Sequence, residues 1–297
     1  MQFANVEDEY RKNKDLHESD LKSLQEWIQK QPHLPPVSDL KLAVFLHSCH
    51  WSLEQTKTTI EKFLTYRGAW PDFFANRNPN DPSVRTHMGV SLCTFFPKTR
   101  QNCNIVFYKL MDLTVDNFCS KAEFKVLDMC IMLEMARKGS LDDFMLVADM
   151  SDVSMGHALK IEITATRRIM LYLQGALPVR LKALHFIVKA GLINLIMPLF
   201  KPFMKKELAD LLHFHDSYEA LSKFLPLESL PADVGGKGPT TKELHENMHK
   251  LYTEYADFFV EEEGFVSKED FRDSRPSYMD EDLGIGTDGS FKKLDID

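Results

Sequence analysis

Residues 174–215 read QGALPVRLKALHFIVKAGLINLIMPLFKPFMKKELADLLHFH, and LPADVGG follows at 230–236. A strand-like run, Leu181 to Val188, passes directly into a greasy segment, Gly191 to Phe203, whose only charged residue is Lys201. A basic step, Lys205 and Lys206, follows. An apolar helix beside cations has the makings of a lid that meets a membrane. It is not a span, because the longest greasy window, Ala183 to Phe200, carries His185, Lys189, Asn194 and Pro198. A spanning helix needs about 20 predominantly apolar residues.

On the N-terminal side the pattern is first helical. LKSLQEWIQ is followed by a break at PHLPP, then by SDLKLAVFLHSC and SLEQTKTTIEKFLTYRGAW. Ser38 or Asp39, and Ser52 with Gln55 three residues on, are the expected helix caps. NRNPNDPS (76–83) reads as a turn-rich linker, after which β-like runs alternate with helical ones. The expected strands are Val90 to Phe95, Asn104 to Met111, Phe144 to Met150, Lys182 to Val188 and Leu211 to His215, with helices over Lys121 to Arg137 and His157 to Gln174. Strands separated by helices predict an α/β fold with a mostly parallel five-stranded sheet. The expected organisation is an extension (1–19), a small all-α bundle (20–76), an α/β domain (84–240), a C-terminal helix (241–260) and a poorly ordered acidic tail (261–297).

The chain has 297 residues, 44% hydrophobic and 27% charged, which is ordinary for a globular protein with a sizeable core. A formal net charge of −8 gives no general attraction to polyanions and argues against nucleic acid as a partner. The five cysteines (Cys49, Cys93, Cys103, Cys119, Cys130) are odd in number and contain no CxxC. They read as reduced thiols rather than a disulfide or zinc framework. The N-terminus, MQFANVEDEYRKNKDL, lacks the basic and apolar regions of a secretion signal. A cytoplasmic protein with transient membrane association is expected.

Several constellations could carry chemistry, and each has a plainer reading. His47, Cys49 and His50 sit at a helix end with no distant ligand set, so a structural role is expected. His213 and His215 share one strand face, beside Asp216, and read as packed or hydrogen-bonded. Asp149 and Asp152 at a strand end read as caps. GIGTDG (284–289) has neither the preceding strand nor the following helix of a dinucleotide site. No GxSxG elbow, phosphate loop or kinase motif is present. Met129, Met132, Leu133 and Met135 crowd one helix, and Ile161, Ile169, Met170, Tyr172 and Leu173 another. Such adaptable side chains suit a core or a pocket for a bulky apolar ligand.

LKSLQEWIQKQPHLPPVSDLKLAVFLHSC and LEQTKTTIEKFLTYRGAWPDFF, then VADMSDVSMGHALKI, YLQGALPVRLKALHFI, LFKPFMKKELADLLHFH and LPADVGG, together resemble the CRAL-TRIO lipid-binding family over roughly residues 20–237. The likeness is strongest to its insect branch, akin to α-tocopherol transfer protein and cellular retinaldehyde-binding protein. The resemblance implies a non-enzymatic carrier, without cofactor or metal, whose helices enclose a lipid cavity over the sheet beneath a mobile gate helix. It implies that Phe144, Ile161, Ile169, Tyr172, Leu173, Val179, Leu184 and Phe186 line the cavity, with Met129 and Leu133 where the tocopherol carrier has serines. Ile193, Ile196, Met197 and Phe200 would lie on the gate. Tyr172, Cys130 and Thr166 are the expected polar contacts to the ligand.

Membrane contact is expected from Arg180, Lys182, Lys201, Lys205 and Lys206. The tocopherol carrier's remaining phosphoinositide-binding cations are replaced here by Glu207, Leu211 and Cys49, and VKAG (188–191) replaces the usual IN(x)P hinge. Those departures argue against specific phosphoinositide recognition. Three other readings compete: a lipid-sensing adaptor, a phosphatidylinositol-type exchanger, and an enzyme for a hydrophobic substrate using Asp149, His157 and His185. Tocopherol, a retinoid, a carotenoid, a sterol and a phospholipid all fit the ligand expectation.

Overall fold

The computed structural model describes residues 2–96 and 103–283. In chain order its helices and strands are α1 (Val6–Lys12), α2 (Glu18–Ile28), α3 (Asp39–Ser48), α4 (Leu53–Ala69), α5 (Pro71–Phe74), α6 (Pro82–Met88), β1 (Ser91–Phe95), β2 (Asn104–Leu110), α7 (Ser120–Lys138) and β3 (Phe144–Asp149). They continue as α8 (Met155–Leu159), α9 (Ile163–Gly175), β4 (Leu181–Ile187), α10 (Ala190–Phe200), α11 (Lys206–Ala209), β5 (Leu212–His215), α12 (Thr241–Glu254), α13 (Ala256–Glu263) and α14 (Ser277–Leu283). The motif GIGTDG falls outside the described residues.

The strands form one sheet in the order β1-β2-β3-β4-β5. β1 runs antiparallel to β2, and the other three pairings are parallel. Parallel neighbours need long crossovers, which the helices between β2 and β5 supply. Alternation along the strands separates two apolar faces. Ile105, Phe107, Met145, Val147, Ala183 and Ile187 pack on one side with Leu221, Leu225 and Leu230. Val106, Tyr108, Leu146, Leu184 and Phe186 face the other side, beneath α7, α9 and α10. This second face is the one the resemblance assigns to a ligand.

The single helix expected over His157 to Gln174 is two helices. Ser154 and the side chain of His157 form a reciprocal capping box at the start of α8. Glu162 is then extended (φ −83°, ψ 129°) and restarts the chain as α9. At the bundle, Ser38 rather than Asp39 caps α3, accepting from the Lys41 amide. Ser52 caps α4 by accepting from the Gln55 amide.

The bundle is fastened to the sheet domain by a buried polar knot. Arg67 of α4 and Arg77 donate to Asp128 Oδ2 of α7 at 3.1 and 2.6 Å, and Tyr172 Oη of α9 donates to Oδ1 at 2.7 Å. Burial alone would raise the Asp128 carboxyl, but the two guanidinium groups and Tyr172 outweigh it and hold the pKa below its ordinary value.

The expectation of a poorly ordered tail from residue 261 is corrected over residues 261–283. Arg272 donates to Glu61 Oε2 and Thr65 Oγ1 at 3.0 Å each, and Tyr66 Oη donates to Asp282 at 2.5 Å. Met279 is fully buried. The acidic composition supplies partners for α4 instead of leaving the segment solvated.

LPADVGG closes the domain for a backbone reason. Gly235 adopts φ +94°, a left-handed conformation that favours glycine. At Gly236 an added Cβ would lie 1.9 Å from the Leu230 carbonyl oxygen, so no other residue fits without moving the turn.

Candidate functional site

Under α7 and α9, Val106, Leu127, Ile131, Phe144, Leu146, Leu173, Leu177, Val179, Leu181 and Leu184 enclose an apolar cavity of about 40 Å³. Ligand pockets usually measure about 300–1,000 Å³. In this conformation, therefore, protein side chains occupy the space a lipid would need. Next to it, Phe200 at the end of α10 packs against the cluster of Met170, Leu184 and Leu208, as do Phe203 and Met204 of the KPF step and Ile169, Leu173 and Phe186. Ile193, Leu195 and Ile196 pack with Tyr108, Met150, Phe186 and Val188 at the other end.

The structure brings Phe144, Leu173, Val179 and Leu184 together on the cavity wall. Ile169, Phe186, Ile193, Ile196 and Phe200 lie in the adjoining clusters. Met197 and Ile161 are half-buried. Two expectations on α7 change. Leu127 and Ile131 take the cavity wall, whereas Leu133 faces Thr94, Phe95, Met248 and Leu251, and Met129 is fully buried in the main core. The turn of α7 over the sheet, about 100° per residue, makes a two-residue error in phase exchange the walls.

The expected polar contacts are engaged elsewhere. Tyr172 points into the arginine–aspartate knot, ringed by Phe63, Phe74 and Phe124. Thr166 Oγ1 donates to the Glu162 carbonyl at 3.0 Å. Cys130 shares the wall of Leu133, and burial pushes its thiol far up, with Glu134 adding to the effect. Sequence reasoning passed over a different polar group, Glu123, one turn before Leu127 on α7. Its residue is only 5% exposed. Tyr108 Oη donates to Glu123 Oε2 at 3.1 Å. Burial raises the carboxyl to about 7 against the opposing hydrogen-bonding influence of Ser91 and Tyr108. Glu123 Oε1, Ser91 Oγ and Ser120 Oγ are buried without a partner in hydrogen-bond geometry. Leaving such a group unpaired costs about 1–3 kcal/mol. An acid one turn before the apolar pair Leu127 and Ile131 on α7 was the available signal.

The suspects for catalysis have structural work. Asp149 accepts from Lys109 Nζ and Tyr218 Oη at 2.6 Å each and from Ser151 Oγ at 2.6 Å. Burial pushes its carboxyl up, but these donors prevail and hold it below the ordinary range. His157 caps α8 through Nδ1, 2.8 Å from Ser154 Oγ. His185 lies on the opposite sheet face, stacked on His213 at 4.8 Å and with Nδ1 2.9 Å from His215 Nε2. Phe224 covers all three rings. Burial and then its two histidine neighbours push His185 down to about 4. His47 is likewise structural, with Nε2 2.5 Å from Asp142 Oδ1. Among the described residues no group of three or more His, Cys, Asp or Glu could hold a metal ion.

The outer surface of the gate region divides by charge and polarity. Arg180 donates from Nε to the His47 carbonyl and lies 3.8 Å from Asp142, and Lys182 pairs with Asp143 at 2.7 Å. Both expected membrane contacts thus spend their charge on neighbouring aspartates. Lys201, Lys205 and Lys206 are exposed. An apolar ridge that the sequence reading did not single out is also exposed: Met155 (59% exposed), Leu159 (76%) and Ile163 (58%). Ala158, on the inner side of the same short helix, packs with Leu192 and Ile193 of α10, so the ridge adjoins the gate. A four-residue spacing between Met155 and Leu159 was its sequence signal. Among the described residues no helix is long and apolar enough to cross a membrane.

Comparisons with known proteins agree with this geometry. Residues 91–236 match the CRAL/TRIO domain, and residues 13–84 match the Pinta-like UBA domain. The chain is 22% identical over 222 residues to human alpha-tocopherol transfer protein-like, covering 73% of this chain and 64% of that protein's length, thus less than two thirds of it. It is 22% identical over 241 residues to clavesin-1 of Xenopus laevis, covering 78% of this chain and 71% of that one. The solved structure of Sfh5 superposes with a TM-score of 0.52 at 14% identity, covering 88% of this chain and 98% of that one, a likeness of fold. The five-stranded sheet and the LPADVGG closure thus both fall within residues 91–236, the part of the chain that matches the CRAL/TRIO domain.

Proposed function

We propose that this protein is a non-enzymatic carrier that takes a small hydrophobic lipid from one membrane and releases it to another by opening α10. The observation that carries the reading is an all-apolar cavity between the sheet and α7 and α9 whose wall residues Leu173, Leu181 and Leu184 also meet the cluster against which Phe200 of α10 packs. Displacing α10 would exchange those contacts for ligand contacts. A ligand hiding about 400 Å² would gain roughly 10 kcal/mol relative to water at about 25 cal/mol per Å². A bilayer offers nearly the same gain, so loading from a membrane is close to an exchange.

The docking face combines the ridge of Met155, Leu159 and Ile163 with Lys201, Lys205 and Lys206. Each lysine near an anionic leaflet contributes about 1 kcal/mol, enough to bias docking and weak enough for release. The pairing of Arg180 and Lys182 with aspartates favours generic anionic surfaces over a dedicated phosphoinositide site.

Transfer of a fluorescent lipid between vesicles tests the proposal. Replacing Leu159 and Met155 by aspartate, or reversing the charge of Lys205 and Lys206, is expected to slow transfer about tenfold and leave equilibrium ligand binding intact. Unchanged transfer in both variants would overturn the docking face. Absence of any bound lipid, by native mass spectrometry of protein loaded from mixed lipid vesicles, would overturn the carrier reading.

A further inference from the structure

Glu123 is a buried carboxyl of α7 at the end of the helix face that continues the cavity wall. Leu127, one turn further along, lines the cavity, and Tyr108 lies two residues beyond the cavity residue Val106 on the same face of β2. Tyr108 also packs in the cluster that holds Ile193, Leu195 and Ile196, so this polar pair sits between the cavity and the inner face of the gate. On β1, two residues before Tyr108's partner Cys93, Ser91 is near enough to influence both groups, yet Ser91 Oγ and Glu123 Oε1 do not meet in hydrogen-bond geometry. The place therefore offers one buried acceptor and one buried hydroxyl, close to each other but not in hydrogen-bond geometry. Cys93 adjoins the pair, and burial pushes its thiol well up, so it adds no charge.

We propose that Glu123, Ser91 and Tyr108 form an end-group subsite for the hydroxyl of an otherwise apolar ligand. This rests on the carrier reading. The ligand O–H donates to Glu123 Oε1, and its oxygen accepts from Ser91 Oγ. Tyr108 is a positioning residue that holds Oε2 and so aims Oε1. An alcohol satisfies both atoms at once, whereas an ether or a hydrocarbon leaves the carboxyl oxygen unpaired. Opening α10 would expose the subsite and the cavity together, so head group and chain could enter by one route.

The test measures binding of a fluorescent long-chain polyene alcohol and of its O-methyl ether to the full chain. Wild type is expected to prefer the alcohol at least ~10-fold, in line with the cost of leaving a buried acceptor unpaired. Glu123→Met removes the acceptor at similar volume and should bring the two within ~2-fold, chiefly by weakening the alcohol. Ser91→Ala should fall between them, which keeps the test decisive if the methionine variant does not fold. Equal binding of the two probes to wild type, or an undiminished preference in both variants, would overturn the subsite while leaving the carrier reading in place. Binding of neither probe, with no lipid recovered from loaded protein, would overturn both.

Discussion

Asp128 has the most demanding position of any single residue. Two buried guanidinium groups and a buried phenol converge on its carboxylate, and Arg67 Nε and Nη2 and Arg77 Nε and Nη1 have no other partner in hydrogen-bond geometry. Removing one member of a buried ionic set costs about 3–5 kcal/mol, because the remaining charge stays in a low dielectric. Asp128→Ala is expected to lose that much in urea denaturation, and Tyr172→Phe only about 1 kcal/mol, since it deletes a single donor and no charge. Equal losses would show that the knot is not centred on Asp128. Little of this was legible beforehand: Arg67, Arg77 and Asp128 are far apart in sequence, and nothing local distinguishes them from solvated charges. Tyr172 was singled out as a ligand contact because its helix is apolar, and only the packing of α9 against α4 and α7 turned it inward.

At the scale of elements, β4 and β5 present their histidines to the same side because successive residues alternate across a strand, so His213 faces His185 in register. His185 is fully buried and its pKa lies below the unfolded value of about 6.5. For a base depressed in this way, stability is present above about pH 6.5 and is lost as pH falls toward 4. Its contribution over that window is at most about 3 kcal/mol. Replacing His185 by Phe is expected to reduce the loss of stability between pH 7 and pH 4.5 relative to wild type, followed by thermal melts. An identical pH dependence in the two proteins would place the acid sensitivity elsewhere. The strands and α7 were readable within a residue or two from apolar alternation and helical spacing. The break between α8 and α9 was not, because it depends on the His157 cap and an extended Glu162 rather than on a glycine or proline.

The whole molecule is closed by its last described segment. After α13 the chain returns to the bundle, where Arg272 bonds to Glu61 and Thr65, the Ser267 amide donates to the Leu64 carbonyl, and Asp282 receives Tyr66 Oη. Arg272 is only 4% exposed at its side chain. A chain ending at residue 263 is therefore expected to melt several degrees lower, and Arg272→Ala to lose about 1–3 kcal/mol from the buried acceptors it leaves behind. An unchanged melting temperature on truncation would show that the segment rests on the bundle without supporting it. The same return path adds Phe258 and Phe265 to a second pocket of about 270 Å³ with Phe45, Phe63 and Met132, away from the gate.

By itself the sequence determined the α/β layering, the strand boundaries, and the apolar segment after β4 with its inability to span a membrane. These follow from local periodicity, turn residues and the length of apolar runs, which the chain carries wherever it goes. The tertiary structure decided which α7 residues meet the cavity, that Leu127, Ile131 and Glu123 face it while Leu133 does not, and that Arg180 and Lys182 are neutralised by Asp142 and Asp143. It also placed Met155, Leu159 and Ile163 on the surface and the acidic tail on α4. Those outcomes depend on the rotation of one helix against another and on pairing between distant residues, and a shift of one residue in helical phase, about 100°, is enough to exchange cavity for core or core for surface.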